Sequence, residues 1–162
     1  MMFTIGAIGV LVRRSPLIIL LSVEIAEEHS KHWFGNMRTE VQGNRAIQET
    51  DVQVLIRAYI DGVLFDNTSW ARFYDRFEKR DGAWKILQMT CIYEKDRLDP
   101  VVPGTAPAGF YEGVPLKGEA AASAYLAFRL AKVGRKSIPM VFARSAEERA
   151  LKDEGQRWLA GA

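Results

Sequence analysis

Phe73-Tyr74-Asp75-Arg76-Phe77-Glu78-Lys79-Arg80-Asp81-Gly82-Ala83-Trp84-Lys85 is the stretch on which the fold turns. Its centre, Asp81-Gly82, is the strongest hairpin signal in the chain: both central residues of a tight reversal need positive φ, which Gly adopts freely and Asp tolerates. Ser69 to Arg80 and Ala83 to Glu94 are therefore predicted as an antiparallel pair. Toward the N-terminus, Asp61-Gly62 marks a loop and Ala46 to Ile60 a long strand. Regular alternation puts Val52, Val54, Ile56 and Ala58 on one face and Gln53, Arg57 and Tyr59 on the other. Gln42-Gly43-Asn44-Arg45 is a further turn, preceded by a strand over Phe34 to Val41. Three consecutive antiparallel connections make a four-stranded meander.

Toward the C-terminus the texture changes. Pro100, Pro103, Pro107 and Pro115 alternate with Gly104, Gly109 and Gly113, as in a linker or wrapping loop. Helices are predicted over Glu119 to Lys132, ended by Gly134, and over Ala146 to Leu159. Ser145 and Glu148 open the second as a capping pair and Gly161 closes it. The expected organisation is a domain over 1–98, a Pro/Gly-rich connection over 99–118 and a helical extension over 119–162. A sheet followed by helices is an α+β arrangement, with the helices expected on one face.

The apolar runs Phe3 to Val12 and Leu17 to Val23 are interrupted by Arg13, Arg14, Ser15 and Pro16. Neither run reaches the ~20 residues that span a bilayer, so no membrane partner is expected. The twin arginines resemble an export signal only faintly, because an apolar run precedes the charge and no small-residue cleavage site follows. Pro16 is instead expected to open a helix running through Glu24, Glu27 and Glu28.

The 162 residues carry 22 Lys+Arg against 20 Asp+Glu, a net charge of +2, which offers no footprint for a phosphate backbone. Nucleic-acid binding is not expected. The single Cys91 excludes an internal disulfide and a thiolate zinc cluster, and suits a reducing, cytoplasmic setting. His29 and His32 are three apart, but zinc needs three or four ligands and only Glu27 and Glu28 stand nearby. No metal and no cofactor are expected. His29 reads as the end of the preceding helix, where a cationic imidazole suits the dipole, and His32 as the entry to the first strand. Trp33, Trp70 and Trp84 read as core or subunit contact.

His32-Trp33-Phe34-Gly35-Asn36, then Gly43-Asn44-Arg45-Ala46, then the hairpin from Phe73 to Lys85, together resemble the SnoaL-like branch of the NTF2-like superfamily. The likeness covers about Glu27 to Pro100. It implies a cystatin-like cone: a curved antiparallel sheet of four or more strands with helices on its concave side. The superfamily includes polyketide cyclases, scytalone dehydratase and a dehydrochlorinase. In the latter two a histidine at this place is the general base, so the resemblance gives His32 that role. It also implies a homodimer or higher homo-oligomer, formed through the outer sheet face.

The family's orienting carboxylate lies on a helix well upstream of the histidine, whereas the 31 residues before His32 contain no aspartate. Met89 stands where the dehydrochlorinase has a pocket arginine. One expectation is that an altered reading frame replaces the family's opening helices up to about Val23. If Phe73 faces inward as its counterparts do, Ala71 and Asp75 share its face, with Leu87, Met89, Cys91 and Tyr93 from the next strand and Val52, Val54 and Ile56 from the second. The expected lining is thus Val52, Val54, Ile56, Ala71, Phe73, Met89 and Cys91. The catalytic candidates are His32 as base, Tyr93 as hydrogen-bond donor to an oxyanion and Asp75 as the replacement orienting carboxylate. A core tyrosine, a surface Asp75 paired with Arg57 or Arg72, and an inert buried Cys91 are the structural alternatives.

The expected function is a cofactor-independent lyase, dehydratase or isomerase acting on a hydrophobic, aromatic or polycyclic small molecule. The alternative is a non-catalytic module that binds a ligand or assembles with a partner.

Overall fold

The computed structural model describes residues 3–5, 8–10, 29–135 and 139–161. Two short strands, β1 (Phe3–Ile5) and β2 (Ile8–Val10), pair antiparallel with each other. The main sheet has five strands in the order β3-β4-β5-β6-β7. They are β3 (His29–Gln42), β4 (Arg45–Ile60), β5 (Val63–Arg80), β6 (Ala83–Pro100) and β7 (Val141–Phe142). The first four form an antiparallel meander, and β7 joins β6 in parallel. After β6 come a 3₁₀ turn (Glu119–Ser123) and the helices α1 (Ala124–Lys132) and α2 (Ala146–Ala160). The α+β class and the NTF2-like sheet read from the sequence are those of the structure.

The strands are longer than their sequence signals. β5 begins at Val63 rather than Ser69, because Asp61-Gly62 is a two-residue hairpin turn and not a loop. Both its residues have positive φ, 50° and 80°, matching 54° and 77° at Asp81-Gly82. β6 runs on to Pro100, so the boundary placed at residue 99 falls inside a strand. His29 pairs with Arg57 at the start of β3 and does not end a helix. The helix expected from Pro16 through Glu28 lies outside the described residues.

Directly paired residues of an antiparallel sheet point to the same side, which divides the sheet by the numbering of β4. The even face carries Ala46, Gln48, Thr50, Val52, Val54, Ile56, Ala58 and Ile60; the odd face carries the residues between them. At the far end of the even face, Ile60, Phe65 and Leu98 pack with Phe110, and Tyr125 and Phe128 of α1 join them. Phe110 stacks on Phe65 at 4.6 Å and meets Phe128 edge-on. Each such buried ring contributes about 1.5–3 kcal/mol, so the Pro/Gly-rich segment is a wrapping loop held to the sheet.

The other helix takes the opposite side. α2 lays Leu159 against Ile47, Tyr74 and Ile92 of the odd face. The helices therefore divide between the two faces instead of sharing one. Gly155 makes this possible: a Cβ there would collide with the Tyr74 hydroxyl. Ser145 caps α2 by accepting from the Glu148 amide, and the Glu148 carboxylate accepts from the Arg144 amide.

Candidate functional site

Three rows of the even face hold the candidate residues. Phe34, Val52, Ala71 and Tyr93 form one row; Thr50, Phe73 and Cys91 lie on one side of it, and His32, Val54, Ser69 and Asp96 on the other. Val52, Ala71 and Phe73 form a buried cluster with Val54, Met89, Cys91 and Tyr93 packed against it. Phe34 adds a tilted ring contact to Phe73 at 6.0 Å. Seven residues named from strand alternation thus share one patch. Ile56 does not join it, pairing one row further on with Ser30 and Asn67 toward the α1 end.

His32 is the one half-buried residue of β3, whose other members are exposed. Its Nε2 is buried without a hydrogen-bond partner, and burial lowers its pKa from the ordinary value. It is therefore neutral at pH 7, with a lone pair or a proton available to a ligand. Tyr93 lies in the adjacent row, where burial raises its hydroxyl pKa. It remains a phenol, able to donate. Cys91 is pushed up to about 12, chiefly by burial, and is an unreactive thiol.

Asp75 is buried, only 5% exposed, and one of its carboxyl oxygens has no partner. Burial pushes it up to about 7. It is not a surface aspartate: Arg57 pairs with Asp66, and Arg72 with Glu49, Glu94 and Glu148. Nor does it orient His32. Asp75 pairs with Gln48 and Met89, six residues along β5 from Ser69 in the His32 row, which at ~3.3 Å per residue is about 20 Å.

Asp96 was missed by sequence reasoning. It sits in the His32 row, opposite Ser69, with Oδ2 accepting from the Leu126 amide at 2.7 Å and Oδ1 buried without a partner. Burial pushes it up to about 6, against the lowering effect of the Leu126 and Tyr125 amides. A bulge between Trp70 and Ala71 shifts the β5–β6 register, so alternation counted from Phe73 places Asp96 on the wrong side.

The odd face differs. Trp33 is 64% exposed, and it shares a row with Gln53, Trp70 and Lys95. Trp33 is thus no core residue. Trp33, Gln53 and Trp70, with Asp51 and Glu94, line a shallow open groove of about 370 Å³. Among the described residues no three His, Cys, Asp or Glu side chains converge as a metal would need.

A curved antiparallel meander with a histidine beside an apolar patch defines the NTF2-like class. A family model described as the SnoaL-like domain matches residues 12–90, and the chain carries a SnoaL-like domain of the NTF2-like superfamily. Among curated proteins it is similar to pea pathogenicity protein 2 of Fusarium vanettenii, at 34% identity over 67 residues. That match covers 41% of this chain and 29% of the relative, so the chain spans less than a third of that protein's length. No helix among the described residues is long and apolar enough to cross a membrane. NTF2-like domains bind small hydrophobic ligands.

Proposed function

We propose that this chain binds an aromatic or polycyclic small molecule over the Val52–Ala71–Phe73 patch, and that His32 removes a proton from it. The observation that carries the reading is the buried, unpartnered Nε2 of a neutral His32 on the same sheet face as that patch. The reaction class is a cofactor-independent lyase, dehydratase or isomerase. His32 takes a proton from a carbon beside an activating carbonyl, and the electron pair passes to that oxygen as an enolate. The Tyr93 hydroxyl donates to such an oxyanion. Collapse of the enolate expels a β-hydroxyl with its electron pair, which takes the proton from the His32 imidazolium and leaves as water, or His32 returns the proton to a different carbon and isomerises the substrate.

Proton abstraction by a positioned imidazole contributes ~10²- to 10⁴-fold to rate. His32→Ala is accordingly expected to lower kcat by ~10²-fold or more on any ring compound the wild type turns over. Undiminished turnover would end the reading. A second reading, a binding or assembly module without catalysis, is favoured by the distance between Asp75 and His32. Under it, a ligand is recovered unchanged and His32→Ala binds it as well as the wild type.

Assembly as a homodimer through the odd face accords with the exposed Trp33, and a cytoplasmic location with the free Cys91. Sedimentation velocity of Trp33→Asp against wild type tests the first. The division into a domain over 1–98 and an extension from 119 is offered as an evolutionary one, since the extension packs on both faces of the sheet.

A further inference from the structure

We propose that the outer edge of β3 pairs antiparallel with β3 of a second copy of this chain, His29 opposite Gln42 and Lys31 opposite Glu40, so that two sheets join into one. The contact runs edge to edge, is distinct from a stacking of odd faces, and depends on no ligand.

β3 lies at the edge of the main sheet, and among the described residues only β4 pairs with it. It is 14 residues long, exposed everywhere but at His32, and free of proline. A long open edge is a template for another strand, and proteins ordinarily blunt it. Here Trp33, Phe34, Met37 and Val41 stand between 46% and 64% exposed on the edge strand itself.

The register follows from the bulge. Gly35 and Asn36 share the place opposite Asp51, between the pairs Phe34–Val52 and Met37–Thr50. Before the bulge the even-numbered residues Ser30, His32 and Phe34 lie on the even face; after it the odd-numbered Met37, Thr39 and Val41 do. A two-fold axis normal to the sheet continues each face into the same face of the second copy, so residues meet only within a face. A slip of one residue sends every pair to opposite faces. With the axis between Gly35 and Asn36, at the midpoint of β3, all 14 positions are paired and every pair outside the bulge shares a face. Phe34 then meets Met37, and His32 meets Thr39, on the even side. On the odd side Lys31 meets Glu40 and Trp33 meets Arg38.

Side-chain chemistry decides against slips of two residues, which keep the faces matched. In one direction Lys31 falls opposite Arg38, and like charges directly opposed are destabilising. In the other, Lys31 falls opposite the neutral Gln42 and Phe34 opposite Thr39. The proposed register sets a carboxylate against Lys31 and a guanidinium whose side chain is 71% exposed against Trp33. Charges that keep foreign strands from an edge thus complement a second copy of it.

The test is sedimentation velocity over a dilution series on the full chain as wild type, Lys31→Glu, Glu40→Lys and an equimolar mixture of the two variants. The axis repeats every contact, so each variant alone creates two pairs of like charges and is expected to associate about tenfold or more weakly than wild type. The mixture is expected to regain wild-type association, since one chain then carries both acids and the other both bases. Both side chains are exposed, and unchanged far-UV circular dichroism separates lost pairing from lost folding. A wild type that stays monomeric throughout the series overturns the inference, and needs no variant to fold. A mixture as weakly associated as its components also overturns it. A wild-type dimer that neither substitution weakens overturns the edge contact while leaving a homodimer through the odd face standing.

Discussion

The two faces of one sheet differ in how their charges are paired. Under α2, on the odd face, the charges are partnered: Arg72 with Glu49 and Glu148, Lys152 with the same two carboxylates, and the buried Arg76 with Glu154. Buried polar atoms with no partner occur on both faces: on His32, Asp75 and Asp96 of the even face, and at the Tyr74 hydroxyl and Arg76 Nε of the odd face. Unsatisfied buried groups cost stability, and networks that serve packing leave few of them. The contrast that remains is one of ion pairs, which gather on the odd face beneath α2.

The sharpest way to test that contrast is through Asp75. Its folded carboxyl is pushed up to about 7 by burial, so between the ordinary aspartate range and pH 7 the folded state holds a proton that the unfolded state has lost. Stability then falls as pH rises through that window, by about 3 kcal/mol between pH 5 and 8. His32, lowered by burial, works in the opposite direction. The readout is therefore the difference in slope between wild type and Asp75→Asn in urea unfolding at the two pH values. Parallel slopes would return Asp75 to the class of partnered groups.

On the odd face the expected effects come from packing. Gly155→Ala drives a methyl into the Tyr74 hydroxyl and is expected to cost about 1–3 kcal/mol by thermal unfolding. Tyr74→Phe in the same background should recover part of the loss, since the hydroxyl is the nearest atom and a ring carbon at 2.9 Å remains; a larger loss in the double variant would show that the hydroxyl is not what the methyl meets. Ser145→Ala removes the cap of α2 and should cost about 1 kcal/mol in the same measurement. The smallest effect belongs to the uncovered part of that face, where Arg57 and Asp66 pair in the open at 2.7 Å. A double-mutant cycle there should return under ~1 kcal/mol, declining with salt. A larger coupling would mean that this surface is covered by a partner.

Much of this architecture was legible in the residues. Asp81-Gly82 and Gly43-Asn44 declare their turns through backbone chemistry, and strand alternation then gathers Val52, Val54, Ala71, Phe73, Met89, Cys91 and Tyr93 on one side. Ser145, Glu148 and Gly161 announce both ends of α2. The turn at Asp61-Gly62 carries the same signature, but the strand after it opens on Val63 and Leu64 before a polar run and so lacks clear alternation. β7 was beyond reach: two residues carry no periodicity, and they become a strand only because the edge of β6 is there to pair with them.

The sequence by itself determined the meander, its faces and the identity of His32, since turn preference and side-chain period are local properties of the chain. Which carboxylate shares a row with that histidine was a matter for the tertiary structure. A one-residue bulge between Trp70 and Ala71 resets the register of β6, and α1, seated over the end of the sheet, fixes one oxygen of Asp96. Register across a bulge and the approach of a distant helix depend on contacts remote in sequence. That is why Asp75, plausible by alternation, lies about 20 Å along the sheet from the His32 row, and Asp96 lies in it.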